Sequence, residues 1–437
     1  MLNALPYRSL KSSLIGSTLA VCALLTLSVT SPAQGSHTDS STVEGVARQS
    51  GFTRAQALLY ALAHSPLAAA SQERIAAARG NLQSAGALPP PEVNIGPSFG
   101  RDVGQTPIIT QVLEISGRRG ARAGVARGEL TATQRESDVT RLDIVRDVSR
   151  GYYDLAQSQQ ASTLSIEVAD IVRRTRDSVK KQVDVGALPA QDLIKAETEV
   201  ARAESDVIRV ETEVTTRQNT LNTVMGREAL LPIIASEPVA VAVVTADRAA
   251  FVAQATDRRP ELAAAEARIL AARQNVRLQR ADYRSDLSVS LLQNTTVGSR
   301  DFLNPRSTGV GVGFVFPLFD TGRIRGRVRQ AEAVVREQEA NRNQVRLVVL
   351  RDVGDAYARV KSTETQALRY EKDILPNSQD LLNKAQFGYE RGGTTLLDYL
   401  EALRTYRNTR SEYLGVLGDN ARARADLDRA TGQGLTR

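Results

Sequence analysis

The sequence predicts a mostly α-helical fold with a β-barrel portion, in which one unit of long helices and two strands is written twice along 437 residues. Three observations predict it. The first is internal repetition. Pro66, Arg74, Ile75, Arg79 and Asn81 recur as Pro260, Arg268, Ile269, Arg273 and Asn275 at a constant offset of 194. Gly117-Arg118 and Tyr152 return as Gly322-Arg323 and Tyr357 at 205, and Gly186, Asp192 and Gly226 return as Gly392, Asp398 and Gly432 at 206. A period this long lies far beyond the ~20–50 residues of solenoid repeats, so it marks a duplication, with the small drifts in offset read as loop insertions. The second observation is a run at three-four spacing: Leu193, Ala196, Val200, Ala203, Val207, Val210, Val214, Leu221 and Val224, with Arg217 its one polar member. That is the seam of a coiled coil. The third is strict alternation. Leu287, Val289 and Leu291 interleave with Ser288, Ser290 and Leu292, and Val310, Val312, Phe314 and Phe316 with Gly311, Gly313 and Val315. Period two with one apolar face is the pattern of a half-buried strand.

Composition agrees with long helices rather than a thick mixed core: there is no Trp, aromatics make up 4 %, and only two His are present. The formal charge of +7 is spread as Arg alternating with Asp and Glu along helical stretches. Such alternation reads as solvated helix faces, and no nucleic-acid partner is expected.

In chain order, residues 1–33 form a secretory signal peptide, with Arg8 and Lys11 ahead of an apolar run over 14–29 and the small-x-small pattern Ser31-Pro32-Ala33. Cys22 sits inside that run, behind a bulky Val21. Cleavage after Ala33 is therefore favoured over lipidation at Cys22 and leaves a mature chain without a thiol. Residues 34–50 are a polar leader, and 51–226 form the first repeat. It opens with a helix over 53–87, broken near Pro66 and stopped by Pro89-Pro90-Pro91. Strands over 93–99 and 108–115 follow, then long helices over 119–185 and 190–225. At about 1.5 Å per residue these helices would span roughly 100 and 55 Å. Residues 227–247, rich in Val, Pro and Ala, connect to the second repeat at 248–437, with strands over 286–296 and 309–319 and helices over 325–390 and 395–431.

Four strands cannot close a barrel alone, and a bilayer tolerates no open sheet edge because unpaired backbone groups would face hydrocarbon. An exported chain with four amphipathic strands must keep them out of lipid, as a small sheet capping a helical bundle, or pool them with other copies. An apolar strand face opposite a face of Gly and Ser suits an outer-membrane barrel with a wet lumen, and pooling predicts an oligomer.

The order of short helix, two strands, long helix, tip turn and returning helix, repeated twice, resembles the TolC-type outer-membrane efflux proteins over essentially all of the mature chain. The Pro66 segment, the stretch from Ala76 through Gly86-Ala87-Leu88-Pro89, and Gln111-Val112-Leu113-Glu114-Ile115 leading to Gly117-Arg118-Arg119 are similar to outer-membrane components of heavy-metal cation efflux systems. The resemblance implies a homotrimer whose three copies each give four strands to a 12-stranded barrel, continued by an α-helical coiled-coil barrel across the periplasm. It also implies a periplasmic adaptor protein, a proton-driven inner-membrane pump of the RND type, and contact with outer-membrane lipid. The function expected is a passive exit duct for heavy-metal cations. Drug efflux and type I protein secretion by the same architecture are the alternatives within the family, and a soluble periplasmic coiled-coil scaffold is the alternative outside it.

Candidate site residues cluster at two turns. That family carries a Gly followed six residues later by Asp at its periplasmic tips, and both Gly186 with Asp192 and Gly392 with Asp398 fit. The resemblance places Asp398 and Glu401 at inner carboxylate rings. Three apart, they share a helix face, and threefold symmetry would gather six carboxylates around one opening, favouring cations. The same two residues also suit a helix start, where negative charge is favourable. The turns Gly186-Ala187-Leu188-Pro189 and Gly392-Gly393-Thr394-Thr395 are expected adaptor-docking edges, although Gly and Pro would serve the reversal in any case.

Chemistry of other kinds is missing. His37 and His64 have no neighbouring His or Cys, there is no phosphate-cradling Gly-rich Lys-Ser/Thr loop, and Gly309-x-Gly311-x-Gly313 lies inside a period-two strand. No enzyme activity, cofactor or bound metal is expected.

Overall fold

A computed structural model describes residues 51–98, 104–296, 307–315 and 320–433. The signal peptide, the polar leader, Cys22, His37 and the expected strand end at 316–319 lie outside the described residues.

The first repeat runs β1 (Gly51–Phe52), α1 (Arg54–His64), α2 (Pro66–Gly86), β2 (Glu92–Ser98), β3 (Gly104–Leu113), α3 (Arg118–Asp184) and α4 (Ala190–Met225). After a short β4 (Ile234–Ala235) the order returns as α5 (Arg248–Arg258), α6 (Pro260–Ala281), β5 (Asp286–Thr296), β6 (Ser307–Val315), α7 (Arg323–Arg369), a π-helical turn (Tyr370–Ile374), α8 (Leu375–Glu390) and α9 (Leu396–Ala430). Local chemistry sets the ends. Thr53 caps α1 through a reciprocal pair, Gln56 N to Thr53 Oγ1 at 3.2 Å and Thr53 N to Gln56 Oε1 at 2.9 Å. Its counterpart Asp247 caps α5 by accepting from Ala250 N at 2.9 Å. Pro66 and Pro260 then start α2 and α6 where a missing N–H costs nothing. Both returning helices end in a left-handed Gly, Gly226 at φ 78° and Gly432 at φ 73°. A Cβ at Gly226 would meet the His64 carbonyl oxygen at 2.8 Å, and one at Gly432 the Arg258 Cβ at 3.1 Å. Each repeat thus closes by pressing a bare glycine backbone on the end of its own first short helix.

The two offset drifts have different structural causes. Glu92 pairs with Thr110, 18 residues on, whereas Asp286 pairs with Val315, 29 residues on, so the drift from 194 to 205 sits within the second β-hairpin. The drift from 205 to 206 overturns the loop-insertion expectation. It falls between Tyr357 and Gly392, where the chain stays helical from Arg323 to Glu390 and the added residue is taken up by the π-turn, with Leu375 N donating to Tyr370 O. One extra residue in a straight helix would rotate everything beyond it by about 100° and lift the apolar stripe off its partner. Widening one turn absorbs it. The helix expected as uninterrupted over 325–390 is corrected accordingly. β3 is corrected too, since it begins at Gly104 rather than at the expected residue 108. Gly-Gln-Thr-Pro carries no strand signal of its own. Pairing of Gly104 and Gln105 with Thr296 and Thr295 on one side, and with Ser98 and Pro97 on the other, holds it extended.

The four long strands make one antiparallel sheet in the order β2-β3-β5-β6, joined across the duplication by β3 and β5. Register sorts the side chains. Val93, Ile109, Leu291 and Val310 form one cross-strand row, and Leu113, Leu287 and Phe314 another on the same face. The opposite face carries Thr110, Ser290 and Gly311, then Val112, Ser288 and Gly313. The first row is 42–73 % exposed in the single chain. Among the described residues β2 and β6 each pair on one side only.

The stretch between repeats is part of the core rather than a tether. β4 pairs in parallel with β1, and Ile233, Val239 and Val244 are buried. Tyr152, fully buried on α3, joins the two: its hydroxyl donates to Phe52 O at 3.0 Å and accepts from Glu237 N at 3.0 Å. Farther on, Lys361 Nζ donates to Val244 O at 2.6 Å and Glu364 accepts from Val244 N at 3.3 Å. Buried Asn420 accepts from Ala242 N at 2.7 Å.

Tyr152→Phe is expected to lower unfolding free energy by about 1–2 kcal/mol, measured by denaturant unfolding, because the Glu237 amide loses its acceptor. Deleting Lys372 from the π-turn should shift the thermal midpoint by only a few degrees. Deleting Ala340 from the straight part of α7 should lower it far more, since every later side chain leaves its register.

Candidate functional site

The two expected tip turns share one backbone design. In the first, Ala187 N donates to Gln182 O at 2.8 Å and Gly186 N to Val183 O at 2.9 Å, with Gly186 at φ 74°. In the second, Gly393 N donates to Gly388 O at 2.8 Å and Gly392 N to Tyr389 O at 3.1 Å, with Gly392 at φ 75°. Both patterns satisfy the last carbonyls of a helix through a left-handed glycine. No atom lies within 4 Å of a Cβ built on either glycine, so backbone conformation alone selects the residue. Gly388 is chosen by space instead, because a Cβ there would collide with Thr394 Oγ1.

Pro189 stands at the N-cap of α4, and Asp192 in its first turn pairs with Lys195 at 2.9 Å. Thr395 caps α9: Asp398 N donates to Thr395 Oγ1 at 3.2 Å, while the Asp398 carboxylate accepts from Thr395 Oγ1 at 2.6 Å and from Thr395 N at 3.3 Å. Asp398 therefore does have the helix-start role that its position allowed. Glu401 is exposed and pairs with Arg404 at 3.4 Å. Arg404 also binds Glu199 of α4, with Nε to Oε2 at 3.3 Å, and one turn on Arg407 binds Asp206 at 2.9 Å. Burial pushes the Glu199 carboxyl up, but Arg404 and Arg202 outweigh it and hold it below the usual range.

These contacts fasten the two hairpins together. Val168, Val172 and Val179 of α3, Ala196 and Ala203 of α4, Leu382 of α8 and Leu396, Tyr399 and Leu403 of α9 form one buried cluster, on which Leu188, Leu193 and Tyr389 also pack. Tyr389 stacks on Tyr399 with ring centroids 5.5 Å apart and planes 9° from parallel. Burial, then the Asp192 carboxylate of the first tip and Tyr399, push the Tyr389 hydroxyl up. The sequence located both turns but missed Arg404, Arg407, Glu199 and Asp206. Each looks like an ordinary solvated charge until the helices are set side by side. His64 is a junction residue, stacked on Tyr60 at 4.2 Å with Nδ1 2.9 Å from Tyr60 O.

Among the described residues there is no group of three or more His, Cys, Asp or Glu placed to hold a metal ion. No described helix is long and apolar enough to cross a membrane, which says nothing of strands. What the geometry offers is an amphipathic sheet at one end of the helical hairpins and two carboxylate-bearing turns at the other.

The family model for outer membrane efflux proteins matches residues 58–227 and 251–433. The cobalt-zinc-cadmium resistance protein CzcC of Cupriavidus metallidurans is 25 % identical over 380 residues, covering 84 % of this chain and 86 % of that protein. The toluene efflux pump outer membrane protein TtgF of Pseudomonas putida is 23 % identical over 329 residues, covering 74 % of this chain and 67 % of that protein. A crystal structure of a membrane protein from Pseudomonas aeruginosa superposes with a TM-score of 0.74 at 20 % identity, covering 87 % of this chain and 90 % of that one.

Thr395→Ala is expected to cost about 1 kcal/mol at the start of α9 and to speed hydrogen exchange of the Leu397 and Asp398 amides. Gly392→Val should cost about 1–2 kcal/mol through left-handed strain alone, detected as a lower thermal midpoint with unchanged helix content.

Proposed function

We propose a role for this chain that proceeds from its family: it belongs to the outer membrane efflux proteins. Members of that family are channels of the outer membrane in efflux systems rather than enzymes, which sets aside the soluble-scaffold alternative.

In the proposed assembly three copies pool their sheets. The carrying observation is the four-stranded sheet, apolar and exposed on one face, small and polar on the other, with its two outer strands each paired on one side only among the described residues. Three such sheets would give twelve strands, satisfy the outer edges and set Val93, Ile109, Leu291 and Val310 toward lipid, with Ser288, Ser290, Gly311 and Gly313 toward a wet lumen. The helical hairpins continue the wall into the periplasm. Residues 1–33 are assigned as a signal peptide, 34–50 as a leader, 51–226 and 248–437 as the two repeats, and 227–247 as their connector.

At the far end Asp398 and Glu401 line the constriction. Their carboxylates, repeated three times, would enrich cations at the mouth. The tips dock the periplasmic adaptor of an RND-type inner-membrane pump through Gly186, Ala187, Leu188 and Pro189 and through Gly392, Gly393, Thr394 and Thr395. Exposed Val185 and Leu397 beside these turns supply apolar contact area. The cargo assigned is a heavy-metal cation, supported by the likeness to CzcC. The likeness to TtgF supports a second reading in which small apolar solutes pass.

Planar-bilayer conductance of the purified oligomer tests the mouth. Asp398→Ala and Glu401→Ala are each expected to lower cation selectivity and divalent-cation block severalfold. Wild-type behaviour in both would remove the carboxylates from the constriction. Leu188→Arg with Thr394→Arg is expected to abolish adaptor capture while leaving conductance intact, and undiminished capture would rule out docking at the tips.

A further inference from the structure

Where the sheet hands over to the helices lies a cavity of about 410 Å³ whose lining includes Arg277, Arg280, Arg284, Ser116, Gly117 and Gly120. Its position is fixed by topology. Leu113 and Leu287, paired neighbours at the ends of β3 and β5, lie just before Ser116 and just after Arg284. Ser116 N also donates to the Asp286 carboxylate at 3.1 Å. Arg277 and Arg280 lie on the last turns of α6, and Arg284 lies two residues before β5. All three are exposed.

The charge balance of this cavity differs from that of a larger cleft in the same chain. The larger cleft, of about 620 Å³, is lined by Arg150, Arg209, Arg217, Arg407 and Arg422, and each of those five pairs with an Asp or Glu. That cleft is an internal staple. Among the described residues, Arg280 alone of the three in the smaller cavity has a carboxylate, Glu332 at 2.7 Å. Arg277 and Arg284 have none among the described residues, and Arg284 reaches only the Ser116 carbonyl at 3.5 Å. The nearby Asp282 and Asp286 are held by Arg118, and Asp282 also by Arg327.

Duplication supplies an internal control. The first-repeat positions matching Arg277, Arg280 and Arg284 are Gln83, Gly86 and Pro90, whereas Arg268 and Arg273 match arginines at Arg74 and Arg79. The shared scaffold folds without cations at these positions; Glu332 accounts for Arg280, and the presence of Arg277 and Arg284 in one repeat asks for another reason.

We infer that this cavity binds the headgroup of an anionic glycerophospholipid at the membrane surface, with Arg277 and Arg284 donating to its phosphate oxygens. The inference rests on the sheet lying in the bilayer. A guanidinium presents a planar fork matched to phosphate, Gly117 and Gly120 leave the floor open, and the adjoining exposed apolar face would take the acyl chains. Because the arginines occur once per repeat pair, a trimer would hold three such sites.

Full-length protein reconstituted in lipid nanodiscs tests this, with spin-labelled phosphatidylglycerol and phosphatidylcholine compared for motional restriction. The wild type should prefer phosphatidylglycerol, and Arg277→Gln with Arg284→Gln should lose about fivefold of that preference for each arginine removed. Arg277→Lys with Arg284→Lys keeps the charge but not the fork and should fall between the wild type and the Gln variant, and equal melting of all variants in phosphatidylcholine alone establishes that they fold. Persistence of the preference in excess inorganic phosphate supports a lipid ligand. Loss of the preference to phosphate overturns it in favour of a free anion, and equal restriction of both lipids in the wild type overturns it outright. A protein that fails to insert as an oligomer contradicts the duct reading before any lipid preference is measured.

Discussion

Backbone polarity is the constraint on which the rest depends. Four strands carry amides and carbonyls along both edges of one sheet, and hydrocarbon offers no partner for any left over. The sheet of this chain satisfies its inner strands and leaves β2 and β6 paired on one side only among the described residues. Its side-chain sorting, apolar across one face and small across the other, suits a boundary between lipid and water. Both facts ask for other copies of the same sheet, and this is why an assembly rather than a single chain is the proposed working unit.

The helices answer a different demand, which is to hold long thin hairpins in register with little apolar material. Buried positions are mostly Ala and Val, so stability rests on close approach rather than bulk, and errors of rotation are costly. The glycine joints at Gly226 and Gly432 fix one end of each repeat against its own short helix. The π-turn at Tyr370–Ile374 lets the second repeat carry one more residue than the first without losing its seam. Tyr370 within it and Tyr413 on α9 donate to Glu412 at 3.1 Å and Glu371 at 2.6 Å, which ties the widened turn to α9.

Charge has three separate uses that composition alone merges. Arg404 with Glu199 and Arg407 with Asp206 staple hairpin to hairpin, while Asp398 caps the helix that it begins. Arg277 and Arg284 face a cavity without carboxylate partners among the described residues. A net charge of +7 describes none of these arrangements.

The repeat, the strand faces, the coiled-coil seam and both tip glycines were legible in the residues, because each rests on a local rule: spacing, alternation, or a backbone angle that only glycine adopts easily. β3 from Gly104, the embedding of residues 227–247 around Tyr152, and the staples of Glu199 and Asp206 were not. Those depend on neighbours brought from 6 to more than 200 positions away. The π-turn stands between the two, since its single extra residue shows in the repeat offset, yet only the packed helix decides whether one residue makes a loop or a wider turn. The chain by itself thus determined the long helices, the four long strands and the faces they show, since those follow from short-range sterics and hydropathy. Tertiary structure alone decided which charges neutralise one another and which are left facing open space, because that depends on distances the linear order does not contain.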